Sequence, residues 1–237
     1  MKELITGYGR MGKLIKETLA KAGDTVVESI DIDNASDLDN MDKVADVIMD
    51  FSNPSLTDRL VEYAGRTNTP LLSGTTNMTA QQHEAIAQLA EKVPVIWASN
   101  YSLGINLFMH LLPQVAKALE GWDIEITETH HNKKVDAPSG TAKSLADAID
   151  PEGKYERIYG RSGNCGERSK NEIGMHALRG GTVTGDHVVD FFGNDEVFEI
   201  THRAGSRQIL VDGAIGAARK LITREPGLYN METLLFG

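Results

Sequence analysis

Hydrophobic positions in the first hundred residues fall into short apolar runs separated by amphipathic stretches. The runs at Lys2 to Thr6 and at Thr25 to Ile30 predict strands, and apolar residues at helical spacing from Leu14 to Ala22 predict a helix between them. The pattern repeats, with strands predicted at 44–49, 70–72 and 93–98 and helices at 56–64 and 79–91. Continuous apolar runs of this length are typical of buried parallel strands. The alternation therefore predicts an α/β unit built on a parallel sheet.

The pattern changes after residue 100. An apolar helix is predicted from Ile105 to Leu119, and the strict alternation from Trp122 to Glu128 predicts a strand with one polar face. Residues 150–170 are rich in glycine and charge and are interpreted as a mobile flap. Glycine turns separate strands predicted at 175–178, 181–189 and 196–202, which favours antiparallel pairing. Helices are predicted at 141–149 and 208–221.

The two patterns indicate two domains within an α/β fold class. Residues 1–101 and 206–237 are predicted to form a Rossmann-like dinucleotide-binding domain, because the apolar tail is expected to pack back on the first sheet. Residues 102–205 are predicted to form an α+β domain for substrate binding and oligomerisation. Its sheet is expected to be open and mostly antiparallel.

Composition restricts the partners of the chain. The 237 residues carry a formal net charge of -10, with a pI near 5.2, which argues against nonspecific binding to nucleic acid or to anionic membranes. There is no run of about 18 apolar residues and no basic-then-apolar leader. The single cysteine, Cys165, cannot form an intrachain disulfide. We therefore expect a cytoplasmic protein with neither a membrane nor a nucleic-acid partner.

Three glycines stand where the first strand meets the first helix. Gly7 suits a tight turn, Gly9 allows a pyrophosphate to approach the backbone, and Gly12 allows the helix to pack closely on the strand. Strand, glycine turn and helix in this order are typical of a dinucleotide site, with the helix amides facing the phosphates. The predicted phosphate loop comprises Gly7, Tyr8, Gly9, Arg10, Met11 and Gly12.

Asp31 follows the second predicted strand, where an acid can accept hydrogen bonds from an adenosine ribose. Ile32 comes next, at a place where an NADP site often carries an arginine for the 2'-phosphate. The cofactor is therefore expected to be NADH or NADPH, with NADH favoured. The alternative is that the glycines only make a turn and that Asp31 only caps a strand.

Three further loops follow predicted parallel strands. Ligands of open α/β sheets bind beyond the carboxyl ends of the strands, so these loops are expected to converge on one crevice. Turn chemistry explains each loop about as well when it is taken alone. The residues expected to line the crevice are Phe51, Ser52, Gly74, Thr75, Thr76, Ala98, Ser99, Asn100 and Tyr101.

The segment from Glu128 to Thr141 concentrates proton-transfer groups and cations. His130 and His131 are neighbours on an extended segment and so point to opposite sides, which suits one to donate a proton and the other to orient a substrate. Lys134 adds a full positive charge. An isolated histidine pair is more often solvated at a strand end, but the cluster favours a site. No spaced Cys, His and acid set accompanies it, so no metal is predicted.

A helix start is predicted just after Pro138, with Ser139 as its cap. The free backbone amides of Gly140 and Thr141 would then hold a carboxylate, helped by the helix dipole. The inferred ligand is a small anion that receives a proton.

These motifs resemble the family of 4-hydroxy-tetrahydrodipicolinate reductases, enzymes of lysine and diaminopimelate biosynthesis. The resemblance spans nearly the whole chain, and a signature that runs from Glu128 to Ala142 carries it. The supporting motifs are Gly9-Arg10-Met11-Gly12, Asp50-Phe51-Ser52, Gly74-Thr75-Thr76, Ala98-Ser99-Asn100-Tyr101-Ser102, Arg179-Gly180-Gly181 and Glu199-Ile200-Thr201-His202.

The resemblance implies roles for the residues of the signature. His130 matches the proton donor of the family and Lys134 its second catalytic cation. His131, Gly140 and Thr141 match the contacts to the substrate carboxylates. The nicotinamide dinucleotide would lie across the phosphate loop, Asp31 and the three further loops.

The resemblance also implies a reaction and an assembly. The family transfers a hydride to a cyclic imine dicarboxylate formed by loss of a 4-hydroxyl, and then protonates the resulting enamine. A homotetramer formed through the sheet of the second domain is usual. In this sequence the glycine motif is one residue shorter than in many members, and the segment between Asp31 and Asp50 is short. The competing hypotheses are a dehydrogenase acting on another amino-acid-derived dicarboxylate and a nucleotide sensor without turnover.

Overall fold

The computed structural model describes residues 1–237, which divide into two units. One unit combines Met1–Leu103 with Gln208–Gly237, and the other is Gly104–Arg207. The strands are β1 (Lys2–Thr6), β2 (Thr25–Ile30), β3 (Val47–Asp50), β4 (Leu71–Ser73), β5 (Pro94–Trp97), β6 (Asp123–His130), β7 (Glu156–Tyr159), β8 (Glu172–Arg179), β9 (Asp186–Phe192), β10 (Val197–Arg203) and β11 (Gly227–Tyr229). The α-helices are α1 (Arg10–Ala22), α2 (Thr57–Thr67), α3 (Ala80–Leu89), α4 (Leu103–Ala118), α5 (Gly140–Ile149), α6 (Gln208–Leu221) and α7 (Met231–Leu235).

The first unit is built on a six-stranded sheet in the order β11-β5-β4-β3-β1-β2. All of its strand pairs are parallel, as the continuous apolar runs predict. The chain runs outward from β1 to β2 and then in the opposite direction from β3 to β5. Ligands of open α/β sheets bind where the strand order reverses in this way. That point is the carboxyl edge of β1 and β3.

Apolar side chains fill both faces of this sheet. On one face, Ile15 and Leu19 of α1 pack with Val211 and Leu221 of α6. The tail joins the same cluster, because Met231 and other residues of α7 are buried in it and β11 adds a strand beside β5. The expectation that the tail packs on the first sheet is therefore confirmed. Helices α2 and α3 cover the other face.

The second unit is built on a five-stranded sheet in the order β10-β9-β6-β8-β7. Strand β6 is antiparallel to β9 and parallel to β8, and β8 is parallel to β7. The prediction of a mostly antiparallel sheet is wrong in this respect, because two of the four pairings are parallel. The connection from β6 through α5 is long enough to return the chain in the same direction, which a tight hairpin cannot do. Helices α4 and α5 pack on one face through apolar side chains that include Phe108, Leu112 and Leu145.

The segment at 150–170, interpreted from sequence as a loop, contains the strand β7. Two of its arginines are also anchored to the sheet, since Arg161 and Arg168 both bind the carboxylate of Glu125 on β6, at 3.0 and 3.1 Å. The strand at 181–189 is likewise shorter than predicted and begins at Asp186. None of the helices has the length and apolar character needed to span a membrane.

Candidate active site

The loop between β1 and α1 has the shape that its glycines predict. Gly7 has a φ of +87°, and a Cβ there would lie 2.3 Å from the carbonyl oxygen of Phe51. A Cβ on Gly12 would lie 1.9 Å from the carbonyl oxygen of Gly7. Gly9 differs, because a Cβ there would meet nothing within 4 Å. Gly7 and Gly12 are therefore required by the packing of the chain itself, whereas Gly9 leaves open space on the outside of the turn.

The same loop leaves backbone donors at the start of α1. Gly9 is the N-cap residue and has no side chain to accept a hydrogen bond from the first turn. The amides of a first helical turn have no partner within the helix, and together with the helix dipole they form a site for an anion. Tyr8 and Arg10 on either side of Gly9 are exposed. The geometry therefore suits a phosphate group.

Asp31 lies at the end of β2 and supports this loop directly. One of its carboxylate oxygens accepts a hydrogen bond from the amide of Tyr8 at 2.8 Å, and the other accepts one from the amide of Ile32 at 2.8 Å. Asp31 is thus also the cap of a short 3-10 helix, Ile32–Asp39. Asp31 therefore caps a helix and not a strand, which was the alternative drawn from the sequence. Each oxygen keeps a second lone pair, so the carboxylate can still accept a hydrogen bond from a ribose hydroxyl.

Asp50 joins the carboxyl ends of three strands. Its side chain is only 2% exposed and accepts hydrogen bonds from Thr6 at 2.7 Å, from Ser73 at 2.7 Å and from the hydroxyl of Ser52 at 2.5 Å. These donors end β1 and β4 and follow β3. Sequence reasoning included Asp50 in the Asp50-Phe51-Ser52 motif but did not assign it this structural role. The signal that was available is an acid placed directly after an apolar run and followed by hydroxyl residues.

The three loops expected to converge do so around Phe51. Its ring lies 5.7 Å from the ring of Tyr101 in an edge-on arrangement, and a Cβ on Gly74 would lie 2.3 Å from it. The amide of Ser52 donates to the hydroxyl of Thr75 at 3.1 Å. Tyr101 is buried, and its hydroxyl donates a hydrogen bond to the carbonyl of Ser73, which holds the loop that follows β4. Thr76 and Ser99 are exposed, and Ala98 and Asn100 are partly buried.

In the second unit, the buried carboxylate of Glu128 accepts four hydrogen bonds. The side chain is 1% exposed. Both terminal guanidinium nitrogens of Arg179 donate to it at 2.8 Å, the amide of Ser139 donates at 3.0 Å, and Nδ1 of His130 lies 2.6 Å away. Burial alone would raise the pKa of Glu128, but the hydrogen bonds from Arg179 and His130 outweigh it and lower the pKa below its usual value. Glu128 is therefore an anion at neutral pH.

His130 lies at the end of β6, with its ring held between two neighbours. Nδ1 faces Glu128, while Nε2 lies above Gly185, where a Cβ would come within 2.9 Å of it. The ring of His187 meets it edge-on at 5.2 Å. Burial, and next the positive charge available to His130, lower the pKa of His187 to about 4. His187 is thus a neutral support next to His130, and Nε2 of His130 is the ring nitrogen that Glu128 leaves unused.

His131 and Lys134 occupy the turn that follows β6. His131 is half-buried and makes no hydrogen bond through Nδ1. The ammonium of Lys134 binds both carboxylate oxygens of Asp136, at 2.7 and 2.9 Å, and this contact lowers the pKa of Asp136. Sequence reasoning did not foresee this ion pair. It fixes Lys134 on the segment that carries the two histidines.

Helix α5 begins as predicted, with Ser139 as its N-cap. The Ser139 hydroxyl accepts a hydrogen bond from the amide of Ala142 at 3.2 Å and lies 3.1 Å from Nε2 of His187. Gly140 is exposed, and a Cβ there would meet nothing within 4 Å. Thr141 is half-buried. The start of α5 therefore offers backbone donors next to the segment of His130 and Lys134, which suits a carboxylate.

A parallel sheet with a glycine loop at its switch point, together with a second unit that presents a histidine, a lysine and a helix start, defines an NAD(P)H-dependent oxidoreductase acting on a small anion. Two family models, which describe the two halves of one enzyme family, match this chain. The model described as "Dihydrodipicolinate reductase, N-terminus" matches residues 1–101, and the one described as "Dihydrodipicolinate reductase, C-terminus" matches residues 104–235. The chain belongs to the dihydrodipicolinate reductase family.

Individual relatives agree with the family models. The chain is 41% identical to the 4-hydroxy-tetrahydrodipicolinate reductase of Brachyspira hyodysenteriae, over 99% of this chain and 100% of the relative. It is 44% identical to that of Akkermansia muciniphila, over 98% of this chain and 96% of the relative. Among solved structures, a dipicolinate-bound dihydrodipicolinate reductase from Paenisporosarcina sp. TG-14 is 22% identical with a TM-score of 0.79, over 100% of this chain and 99% of that chain. That structure supports the fold.

Proposed function

We propose that the chain catalyses the NAD(P)H-dependent reduction of 4-hydroxy-tetrahydrodipicolinate to tetrahydrodipicolinate, with loss of water, in lysine and diaminopimelate biosynthesis. One observation carries the proposal at the level of the site. His130 is held by Glu128 at Nδ1, with Nε2 left over Gly185, on the segment that leads into the first helical turn of α5 at Gly140 and Thr141. A proton donor and a carboxylate site are thus built into one segment of fourteen residues.

The second unit binds and protonates the substrate in this proposal. His131 and the amides of Gly140 and Thr141 contact the substrate carboxylates, since an anion at a helix start gains both hydrogen bonds and the helix dipole. His130 and Lys134 are the proton donors. Loss of the 4-hydroxyl as water leaves a conjugated imine, a hydride adds to its ring, and the resulting enamine takes up one proton. Nε2 of His130 can supply that proton because Nδ1 is already committed to Glu128.

The first unit binds the cofactor in this proposal. The open space at Gly9 and the uncapped start of α1 fit a pyrophosphate, and Asp31 fits the adenosine ribose. When bound, the nicotinamide supplies the hydride. NADH is favoured because the exposed Ile32 follows Asp31. NADPH is the second cofactor in this proposal, since the ammonium groups of Lys13 and Lys16 lie 5.2 and 5.6 Å from the ring of Tyr8 in the phosphate loop and offer positive charge to a 2'-phosphate.

Turnover tests the proposal. 4-Hydroxy-tetrahydrodipicolinate is generated enzymatically in the cuvette, and oxidation of NADH or NADPH is followed by the loss of the absorbance of the reduced cofactor. We expect rapid oxidation that depends on this substrate, with the higher kcat/KM for NADH. If NADH or NADPH were oxidised only in the presence of a different amino-acid-derived dicarboxylate, the enzyme would catalyse a different reaction. Cofactor binding without any turnover would favour a nucleotide sensor.

Replacing two of the loop glycines should separate cofactor binding from folding. Gly9→Ala adds a methyl group in open space, so we expect the chain to fold normally but to bind NADH roughly tenfold more weakly, equivalent to about 1.4 kcal/mol. Gly12→Ala would force its methyl group onto the carbonyl of Gly7, so it should also lose about 1–3 kcal/mol of stability.

Calorimetric titration with NADH and thermal unfolding of each variant measure the two effects. Gly216→Ala is the control, because Gly216 lies within α6 and a Cβ there also meets nothing within 4 Å. It should bind NADH normally and unfold no earlier than the parent chain. If Gly9→Ala bound NADH with the affinity of the parent chain, the assignment of the pyrophosphate site to this loop would be wrong.

Location and assembly complete the proposal. We place the enzyme in the cytoplasm, where its free and exposed thiol, Cys165, would stay reduced. We also propose a homotetramer formed through the second sheet, because Phe192 of β9 and Val197 and Phe198 of β10 are 40–56% exposed. Light scattering after size exclusion measures the subunit number, and a monomer at micromolar concentration would exclude this assembly.

A further inference from the structure

We propose that Glu128 is the positioning residue of the proposed active site: it fixes the tautomer of His130 so that Nε2 carries the transferable proton. The inference rests on the proposed function and extends it to a residue that does not touch the substrate. Glu128 acts through His130, and it also ties the start of α5 to the same carboxylate through the amide of Ser139.

Glu128 has no freedom to serve as a proton donor itself. Its side chain is buried, and each oxygen accepts two hydrogen bonds. Oε1 accepts from Arg179 and from the amide of Ser139, and Oε2 accepts from Arg179 and from His130. A carboxylate with four donors and a lowered pKa remains ionised near neutral pH. Its role is therefore to accept hydrogen bonds from its neighbours.

The ionised carboxylate determines which nitrogen of His130 exchanges its proton. An ionised carboxylate can only accept hydrogen bonds, so Nδ1 of His130 must carry a hydrogen at 2.6 Å from Oε2. The proton gained or lost by the ring is then the one on Nε2. Nε2 lies above Gly185, a residue without a side chain to cover it.

Arg179 stabilises the buried carboxylate of Glu128 and connects it to the turn that carries Lys134. A buried carboxylate without a partner is strongly unfavourable, and the bidentate contact with a guanidinium offsets that cost. One guanidinium nitrogen of Arg179 also donates to the backbone carbonyl of Asp136. The turn that carries Lys134 is thereby connected to Glu128. His130, the Lys134 turn and the start of α5 thus share one anchor.

Strand β6 provides a matched control in Glu125. This residue faces the opposite side of the sheet and also binds a histidine, since its carboxylate lies 2.7 Å from Nε2 of His176 and also accepts hydrogen bonds from Arg161 and Arg168. Burial opposes the lowering of its pKa, and the hydrogen bonds from its partners prevail, as at Glu128. Glu125→Gln therefore removes a carboxylate of the same kind from the same strand, away from His130.

The first test is the tautomer itself, observed without any turnover. Long-range ¹H–¹⁵N correlation spectra of the ¹⁵N-histidine-labelled chain distinguish Nδ1–H from Nε2–H imidazoles, and the spectrum of His130→Ala identifies the His130 signals. We expect neutral His130 to be the Nδ1–H tautomer in the parent chain and in Glu125→Gln. Glu128→Gln should give a mixture of tautomers. A neutral Nε2–H form in the parent chain would overturn the inference whatever the enzyme does.

The second test is the dependence of turnover on pH. Glu128→Gln should lower kcat roughly tenfold to a hundredfold. The dependence of kcat on pH should also change in this variant, because the carboxylate that orients the proton-donating ring is gone. The dissociation constant of NADH should not change. Glu125→Gln should keep the parent pH profile even if it unfolds earlier.

Two outcomes would overturn the inference while leaving the proposed function intact. One is an active Glu128→Gln enzyme with the parent pH profile. The other is a variant whose only defect is earlier unfolding. Should Glu128→Gln fail to fold, the double variant Glu128→Gln with Arg179→Gln removes the unpaired guanidinium and carries the same pH test. Failure of the proposed function would look different, because the parent chain itself would not reduce the substrate.

Discussion

Substitution of His130 by alanine is expected to lower kcat by roughly a hundredfold or more while leaving NADH affinity unchanged. The substitution removes the ring whose Nε2 lies over Gly185 and leaves the first unit, with the cofactor loop, untouched. Lys134→Ala is expected to cause a loss of the same order, because it removes the only other proton donor of the segment to which we assign catalysis. Steady-state kinetics give kcat, and calorimetric titration gives the NADH dissociation constant.

A histidine outside the proposed site serves as the control for this prediction. His176 on β8 also forms a short contact with a glutamate, Glu125, but it lies on the other face of the sheet from His130. His176→Ala should therefore retain kcat within about twofold, since substitutions away from the reacting groups rarely change the chemical step. If His130→Ala and Lys134→Ala also turned over at the parent rate, the assigned proton donors would be wrong.

The first sheet was predictable because its strands are buried on both faces. Runs such as residues 47–49 are apolar throughout, and the helices between them carry one apolar face each, so period and length together identify the elements. The cap of α5 was predictable for a similar reason. Ser139 follows a proline and precedes helical spacing, and the side-chain acceptor that this position requires is visible in the sequence.

Strand pairing in the second unit was not predictable in the same way. The sequence predicts that residues 175–178 are extended, but it carries no information about which neighbour the strand will pair with or in which direction. The direction depends on the path of the chain through α5 and β7. Strand β7 is four residues long and lies between glycine-rich stretches, so its apolar signal is too short to be distinguished from a loop.

In the candidate site, too, residues that are close in sequence could be predicted, whereas contacts between residues distant in sequence could not. Sequence alone singles out the segment that carries His130, Lys134 and Gly140, because its unusual residues are neighbours in the chain. The supports of that segment come from far away. Arg179 lies 51 positions from Glu128, and His187 lies 48 positions from Ser139. Only the pairing of β6 with β8 and β9 brings them together.

Glu3 gives the second large prediction, which concerns stability rather than catalysis. Its side chain is fully buried on β1, and neither carboxylate oxygen has a hydrogen-bond partner. Burial, and next the negative charge of Asp24, raise the pKa of Glu3 from 4.5 to about 7. In the folded chain Glu3 therefore holds a proton at pH values where the unfolded chain has already released it.

The sign of the resulting pH dependence follows from proton binding. Between pH 4.5 and about 7 the folded chain binds more protons at Glu3 than the unfolded chain, so the free energy of unfolding falls as the pH rises through this window. Below the window the contribution is absent. Above it, the ionised and buried carboxylate destabilises the fold by about 3 kcal/mol, the equivalent of the pKa difference.

Glu3→Gln is expected to remove this pH dependence, because the amide is neutral in both states. Urea unfolding at pH 5 and pH 8 measures the effect, and the advantage of Glu3→Gln over the parent chain should be larger at pH 8 by about 2–3 kcal/mol. Glu17→Gln, on the exposed face of α1, controls for the loss of one negative charge and should follow the parent chain at both pH values. If the free energies of unfolding of Glu3→Gln and the parent chain differed by the same amount at pH 5 and pH 8, Glu3 would not be the protonated carboxyl of the folded chain. An increase at pH 8 would instead identify a single buried carboxyl, in the first strand of the sheet, as a main reason why the folded chain is less stable at pH 8 than at pH 5.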